Sequence, residues 1–193
     1  MFEGARSFNR DLSRWSVGQV TDMDKIFYQT NVFDGEVSKW DVAKVTSMIA
    51  MFFQANVVNG DLSKWDVGRV TDMEWMFYGA STFNGDLSKW NVGQVTSMGN
   101  MFARTNSFNQ DLSKWNVGKV TSMASMFRQA RAFNQDLSKW DVSQVTDMYA
   151  MFQGATSFKQ VLCGEAWVNS KASKVDMFSF SPGSISEAMS GSW

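Results

Sequence analysis

The residues able to do chemistry in this sequence stand in rows. A cationic row runs Arg14, Lys39, Lys64, Lys89, Lys114 and Lys139, and beside it runs Ser16, Asp41, Asp66, Asn91, Asn116 and Asp141. Ser13, Ser38, Ser63, Ser88, Ser113 and Ser138 accompany them. A second acidic row is Asp11, Glu36, Asp61, Asp86, Asp111 and Asp136, and an amide row is Asn9, Asp34, Asn59, Asn84, Asn109 and Asn134. Alternating cations and carboxylates can hold a repetitive ligand such as a polysaccharide. Equally, they can neutralise each other and keep a surface soluble. Paired carboxylates do acid–base work in glycoside hydrolysis, yet a centre repeated in every copy is a poor match for one reaction centre in one pocket. Histidine is absent, which removes the commonest general base and the commonest zinc ligand. The single cysteine, Cys163, therefore has no histidine to activate it as a nucleophile. Calcium needs about six to eight oxygens converging on one point, whereas these rows supply one carboxylate per copy. The sequence assigns no catalytic residue, no metal site and no cofactor, and it does not read as an enzyme.

Composition sets the frame for these rows. The 193 residues suit one domain or one short repeat array. Eighteen Lys and Arg against nineteen Asp and Glu leave a net charge of −1, which gives no general attraction to nucleic acid or an anionic membrane. No apolar run is long enough to insert into a bilayer. The N-terminus, MFEGARSFNRDLSRW, lacks the basic-then-apolar order of a secretory signal.

What positions the rows is an internal repeat. Copies begin near residues 8, 33, 58, 83, 108 and 133, each step being 25 residues. Trp15, Trp40, Trp65, Trp90, Trp115 and Trp140 mark the register, and the unit reads FNxDLSKWxVxxVTxMxxMFxxAxx. In KWDV, apolar and polar residues alternate, which predicts a short strand with Trp65 and Val67 inward and Lys64 and Asp66 outward. From Val70, the apolar residues Met73, Met76, Phe77 and Ala80 follow helical spacing and predict a helix of two to three turns. Thr71 sits where such a helix needs a cap, with Glu74 completing a capping box. The Thr row, Thr21 to Thr146, is read the same way rather than as an ice-binding row. The amide row predicts a side-chain-to-backbone ladder in a turn. Met23, Met48, Met73, Met98, Met123 and Met148 are expected to be core residues that fill irregular gaps. One coil cannot bury its apolar face alone, whereas stacked coils can.

DLSKWDV spaces its apolar residues as LxxLxL, the core of a leucine-rich repeat. With VTDM and MFxxA, the unit resembles the BspA-type leucine-rich repeat, in the 25-residue form known from mycoplasma surface lipoproteins, other bacterial surface proteins and some microalgae. The resemblance runs from Met1 to about Phe158. It implies an α/β architecture: a right-handed αβ solenoid with one short parallel strand and one short helix per coil. It also implies surface display or secretion, and adhesion or protein binding without a general catalytic residue.

Two surfaces are candidates for a protein or glycan partner. One is the strand face, with Lys39, Lys64, Lys89, Lys114, Lys139, Asp41, Asp66 and Asp141. It is nearly identical in every copy, and specificity needs diversity. The other lies where copies differ. The position after the core Phe reads Tyr28, Phe53 and Tyr78, then Ala103, Arg128 and Gln153, with Trp75 three residues before Tyr78. These aromatics either form an exposed patch for a partner or pack over neighbouring coils and complete the core.

The ends depart from the pattern. Residues 1–158 read as the solenoid, 159–185 as a C-terminal capping coil in which Trp167 is displaced, and 186–193 as a loosely held tail. MFEGARSFN matches the middle of a unit, MFYGASTFN at 76–84. That predicts an uncapped N-terminal coil, with residues missing upstream or with end-to-end self-association there. A spacer or self-assembling array is accordingly the alternative to a binding module.

Overall fold

A computed structural model describes residues 2–30, 36–55 and 61–187. Phe33, Asp34, Val58 and Asn59 of the expected rows lie outside the described residues, as do residues 188–193 of the expected tail. Within the described residues, the 25-residue units are coils stacked into one solenoid-like body around a continuous buried core.

The coils are built from turns, which corrects the expectation of a strand and a helix in each. Take the coil from Asp61. The Trp65 N–H donates to the Leu62 carbonyl at 3.1 Å and the Val70 N–H to the Val67 carbonyl at 3.0 Å. Between them, Ser63 N–H donates to Asp61 and Gly68 N–H to Asp66. These N–H groups close local turns and are not free to join a ladder with neighbouring coils, so no strand forms. The expected alternation of sides holds all the same: Trp65 and Val67 are buried, while Lys64 and Asp66 are exposed.

Parallel pairing is reduced to one bridge per step, Asp22 to Ser47, Ser47 to Asp72 and onward to Ser173. Next to it the threonines form a ladder. Thr71 N–H donates to the Thr46 carbonyl at 2.8 Å, and the Thr71 hydroxyl donates to that same oxygen at 3.1 Å.

The segment expected to be helical carries the main connection between coils. The N–H groups of Met73, Trp75, Phe77 and Gly79 donate to the carbonyls of Ser97, Gly99, Met101 and Ala103 in the next coil, at 2.8–3.1 Å. The alternate N–H groups of Met76, Tyr78 and Ala80 turn back to Met73, Trp75 and Phe77, three residues earlier. Every N–H along the segment is satisfied, as a buried backbone requires. This geometry needs left-handed residues at two places per coil, such as Trp75 at φ 60° and Gly79 at φ 67°. A right-handed helix admits neither, and for a non-glycine residue the left-handed conformation costs about 1–2 kcal/mol. The intercoil hydrogen bonds and the core offset that cost.

The core consists of rows along the stack. Phe27, Phe52, Phe77, Phe102, Phe127 and Phe152 stack ring on ring, with centroids 5.5–5.7 Å apart. Phe83, Phe108, Phe133 and Phe158 make a second stack. Met23, Met48, Met73, Met98, Met123 and Met148 are fully buried in the same core. Burying one such side chain stabilises by about 1.5–3 kcal/mol. The tryptophans also hydrogen-bond across the stack. The Trp65 Nε1–H donates to Val37, that of Trp90 to Leu62, that of Trp115 to Leu87 and that of Trp140 to Leu112.

Past Phe158 the chain forms the only regular elements among the described residues. These are strand β1 (Val161–Leu162), helix α1 (Glu165–Val168) and strand β2 (Ser184–Ile185), with β1 and β2 paired in parallel. Trp167 reaches the same slot as its counterparts, fully buried, and its indole N–H donates to the Leu137 carbonyl at 2.9 Å. The separation is 30 residues where Trp140 has 28, and α1 accommodates the difference.

Candidate functional site

The face bearing the lysines is a set of turns whose charges answer one another. Lys39, Lys64, Lys89, Lys114 and Lys139 are exposed, as are Asp41, Asp66 and Asp141. Asp41, Asp66 and Asp141 accept the backbone N–H two residues on, from Ala43, Gly68 and Ser143. Ser143 donates to Asp141 with hydroxyl and N–H and holds that carboxyl below the usual carboxylate range. Beside the lysines, the Ser63 hydroxyl and N–H lower the Asp61 carboxyl, with Lys64 and Lys89 adding to the effect. Ser88 acts likewise on Asp86 and Ser113 on Asp111. Each lysine thus stands among ionised carboxylates, and the face repeats with little variation.

The amide row makes the ladder its spacing suggests: Asn109 N–H donates to Asn84 Oδ1, Asn134 N–H to Asn109 Oδ1 and Lys159 N–H to Asn134 Oδ1. The threonine row does not cap helices. Thr21, Thr46, Thr71, Thr96, Thr121 and Thr146 are exposed, and their role is the intercoil ladder. In place of the expected capping box, Glu74 N–H donates to Asp72 Oδ1 and the Ser97 hydroxyl donates to Glu74. Half-burial of Asp72 raises its carboxyl above the usual range.

The variable flank is different in kind. Tyr28, Phe53 and Tyr78 stack with centroids 4.5 and 4.7 Å apart, their planes within 11° of parallel. Trp75 lies against both Phe53 and Tyr78, at 6.1 and 5.0 Å, tilted by 44° and 52°. All four rings are half-buried, so they form a ridge that is neither core nor free-standing. Trp75 projects here because its own backbone is left-handed. Arg104 continues the ridge, its guanidinium carbon 5.7 Å from the Tyr78 ring centroid, an attraction worth about 0.5–1 kcal/mol at an exposed site. Arg104 Nε–H in turn donates to Gln129 Oε1 at 3.0 Å.

Gln129 opens the part of the flank that the sequence reading missed. A groove of about 570 Å³ is lined by Arg128, Gln129, Arg131, Gln153, Gly154, Thr156 and Phe180. Arg128 and Phe180 come from different coils, so no local motif announces their meeting. The available signal was the change along the row, from Tyr28, Phe53 and Tyr78 to Arg128 and Gln153. Phe180 is 85% exposed, an unusual position for a phenylalanine.

Among the described residues, no group of three or more His, Cys, Asp or Glu could hold a metal ion. Cys163 is half-buried, its thiol donating to the Ser138 hydroxyl at 3.9 Å. No described helix is long and apolar enough to cross a membrane.

A family model described as "Mycoplasma protein of unknown function, DUF285" matches residues 1–106 and again residues 85–190. The chain belongs to this family. The two matches overlap over residues 85–106. Comparison with curated proteins found no match, and comparison with solved structures found none.

Proposed function

We propose that this DUF285 chain is a non-enzymatic recognition module, and that it binds a protein through the flank carrying Tyr28, Phe53, Trp75 and Tyr78. The stack is read as a right-handed solenoid of leucine-rich-repeat type whose regular secondary structure has given way to turns. A place at or outside a cell surface goes with the BspA-type resemblance.

The observation that carries the reading is the ridge of half-buried rings on a face that varies from coil to coil. Its geometry favours a protein over a glycan. Sugars pack against ring faces, and nucleic-acid bases stack on them. Here Tyr28, Phe53 and Tyr78 cover each other's faces, and Arg104 lies over the Tyr78 ring. The half-buried rings and the tilted Trp75 suit apolar side chains, and aromatic residues are enriched among interface hot spots. The lysine face, by contrast, is charge-balanced and uniform.

The test is binding to protein and glycan arrays with two variants. Trp75→Ala with Tyr78→Ser should remove protein signals. Lys64→Glu, Lys89→Glu and Lys114→Glu together should leave them. Glycan signals that depend on the three lysines would overturn the reading.

One observation favours the alternative of an assembly unit. The N–H groups of Asp176, Phe178 and Phe180 donate to no carbonyl among the described residues, in the coil whose Val175, Met177 and Ser179 carbonyls accept the ladder from Ala150, Phe152 and Gly154. Such a row is a template for another coil. Light scattering over a range of concentrations tests it, and a strictly monomeric particle counts against it.

A further inference from the structure

We infer that the groove between Arg128, Arg131 and Phe180 is an anion-binding subsite of the same flank, and that the partner is an acidic polypeptide segment carrying apolar side chains. This rests on the protein-recognition reading above and names the chemistry of the partner. The first ground is charge. Two exposed guanidinium groups line the groove, and no Asp or Glu does. On the lysine face, by contrast, every described copy of the repeat brings a carboxylate with its lysine. Asp176, on the same coil as Phe180, already accepts the Ser179 hydroxyl at 2.9 Å. Uncompensated arginines beside amide and hydroxyl groups suit a carboxylate, which a guanidinium binds with two parallel N–H donors.

The second ground is continuity. Tyr78 touches Arg104, Arg104 bonds Gln129, and Gln129 lines the groove. Apolar ridge and basic groove are therefore one surface running along the stack. From the Tyr78 coil to the Phe180 coil is four steps, about 20 Å, which an extended peptide of about six residues spans. Such a segment would lay apolar side chains on Trp75 and Tyr78 and carboxylates on Arg128 and Arg131. Phe180, 85% exposed, lines the groove from the last coil.

The experiment selects from a phage-displayed library of random peptides of about ten residues. Selection on the unaltered chain should enrich sequences that combine Asp or Glu with Leu, Phe or Trp. A synthetic peptide of the enriched sequence should lose at least tenfold in affinity with Arg128→Gln plus Arg131→Gln, and again with Phe180→Ser. Arg128→Lys with Arg131→Lys should retain part of the affinity. Unchanged unfolding midpoints separate these effects from loss of fold. Failure to enrich any peptide, or acidic enrichment that persists on the Arg→Gln variant, overturns the inference. So does tighter, arginine-dependent binding of a heparin fragment than of the peptide. If peptides are enriched without acids and depend on Trp75 and Tyr78 alone, the anion subsite falls while the protein-recognition reading stands.

Discussion

The indole N–H of Trp90 donates to the carbonyl of Leu62 at 2.9 Å, 28 residues earlier and one coil away. Trp90 is buried, so this bond lies in the core rather than on its rim. The same bond recurs from Trp40 to Trp140 and is made again by Trp167. Trp90→Phe removes the donor and leaves the Leu62 carbonyl without this partner. The Leu62 carbonyl keeps the Trp65 N–H at 3.1 Å, so the lost bond costs about 0.5–1.5 kcal/mol, and the smaller ring adds a void. Urea unfolding should show a loss of about 1–3 kcal/mol. No measurable loss would mean that neither the indole hydrogen bond nor the ring volume stabilises the stack.

Ala150→Gly separates the turn structure from the helix suggested by the sequence. Ala150 stands at φ 51°. In a helix interior, glycine in place of alanine costs about 1 kcal/mol. At a left-handed position glycine relieves strain instead, less what the buried methyl contributed. Stability measured by denaturant should therefore stay level or rise by up to about 1 kcal/mol. Gly79→Ala, at φ 67° and with its Cβ 3.0 Å from Gln54 Cγ, should lower it.

The acidic residues predict opposite responses to pH. The Asp86 and Asp111 carboxyls are depressed by Ser88 and Ser113. Their contribution is present above the ordinary carboxylate range and is lost as pH falls through the lowered folded value. Asp72 is raised by burial, so it disfavours folding at neutral pH and ceases to do so once protonated. Asp72→Asn keeps the Oδ1 acceptor for Glu74 and should raise the thermal midpoint at pH 7, with no gain near pH 3. Asp111→Asn should lower the midpoint at pH 7, and that deficit should fade towards pH 2. Thermal melts across this range check both signs.

How much of this was legible follows from which residues carry it. The rows of Trp, Met and Phe, the side each takes and the asparagine ladder follow from a strict period of 25 residues, because packing only requires that like residues meet in successive coils. The helix did not follow. Met73, Met76, Phe77 and Ala80 face the core equally well from a helix or from linked turns with left-handed residues at Trp75 and Gly79. Periodicity reports which side a residue faces, not where its N–H goes. Glycine at 79 and 154 was a clue, but Trp75, Ser125 and Ala150 hold the same kind of conformation without one. On the flank, Tyr28, Phe53, Trp75 and Tyr78 were visible as a row. The groove was not, because Arg128 and Phe180 come together only through stacking.

The most direct measurement of the turn-built stack is a long-range HNCO spectrum, which detects couplings across hydrogen bonds. Cross-peaks are predicted from the N–H of Met73, Trp75, Phe77 and Gly79 to the carbonyls of Ser97, Gly99, Met101 and Ala103. Cross-peaks from Phe77 and Gly79 to the carbonyls of Met73 and Trp75, four residues earlier as in a helix, would contradict it.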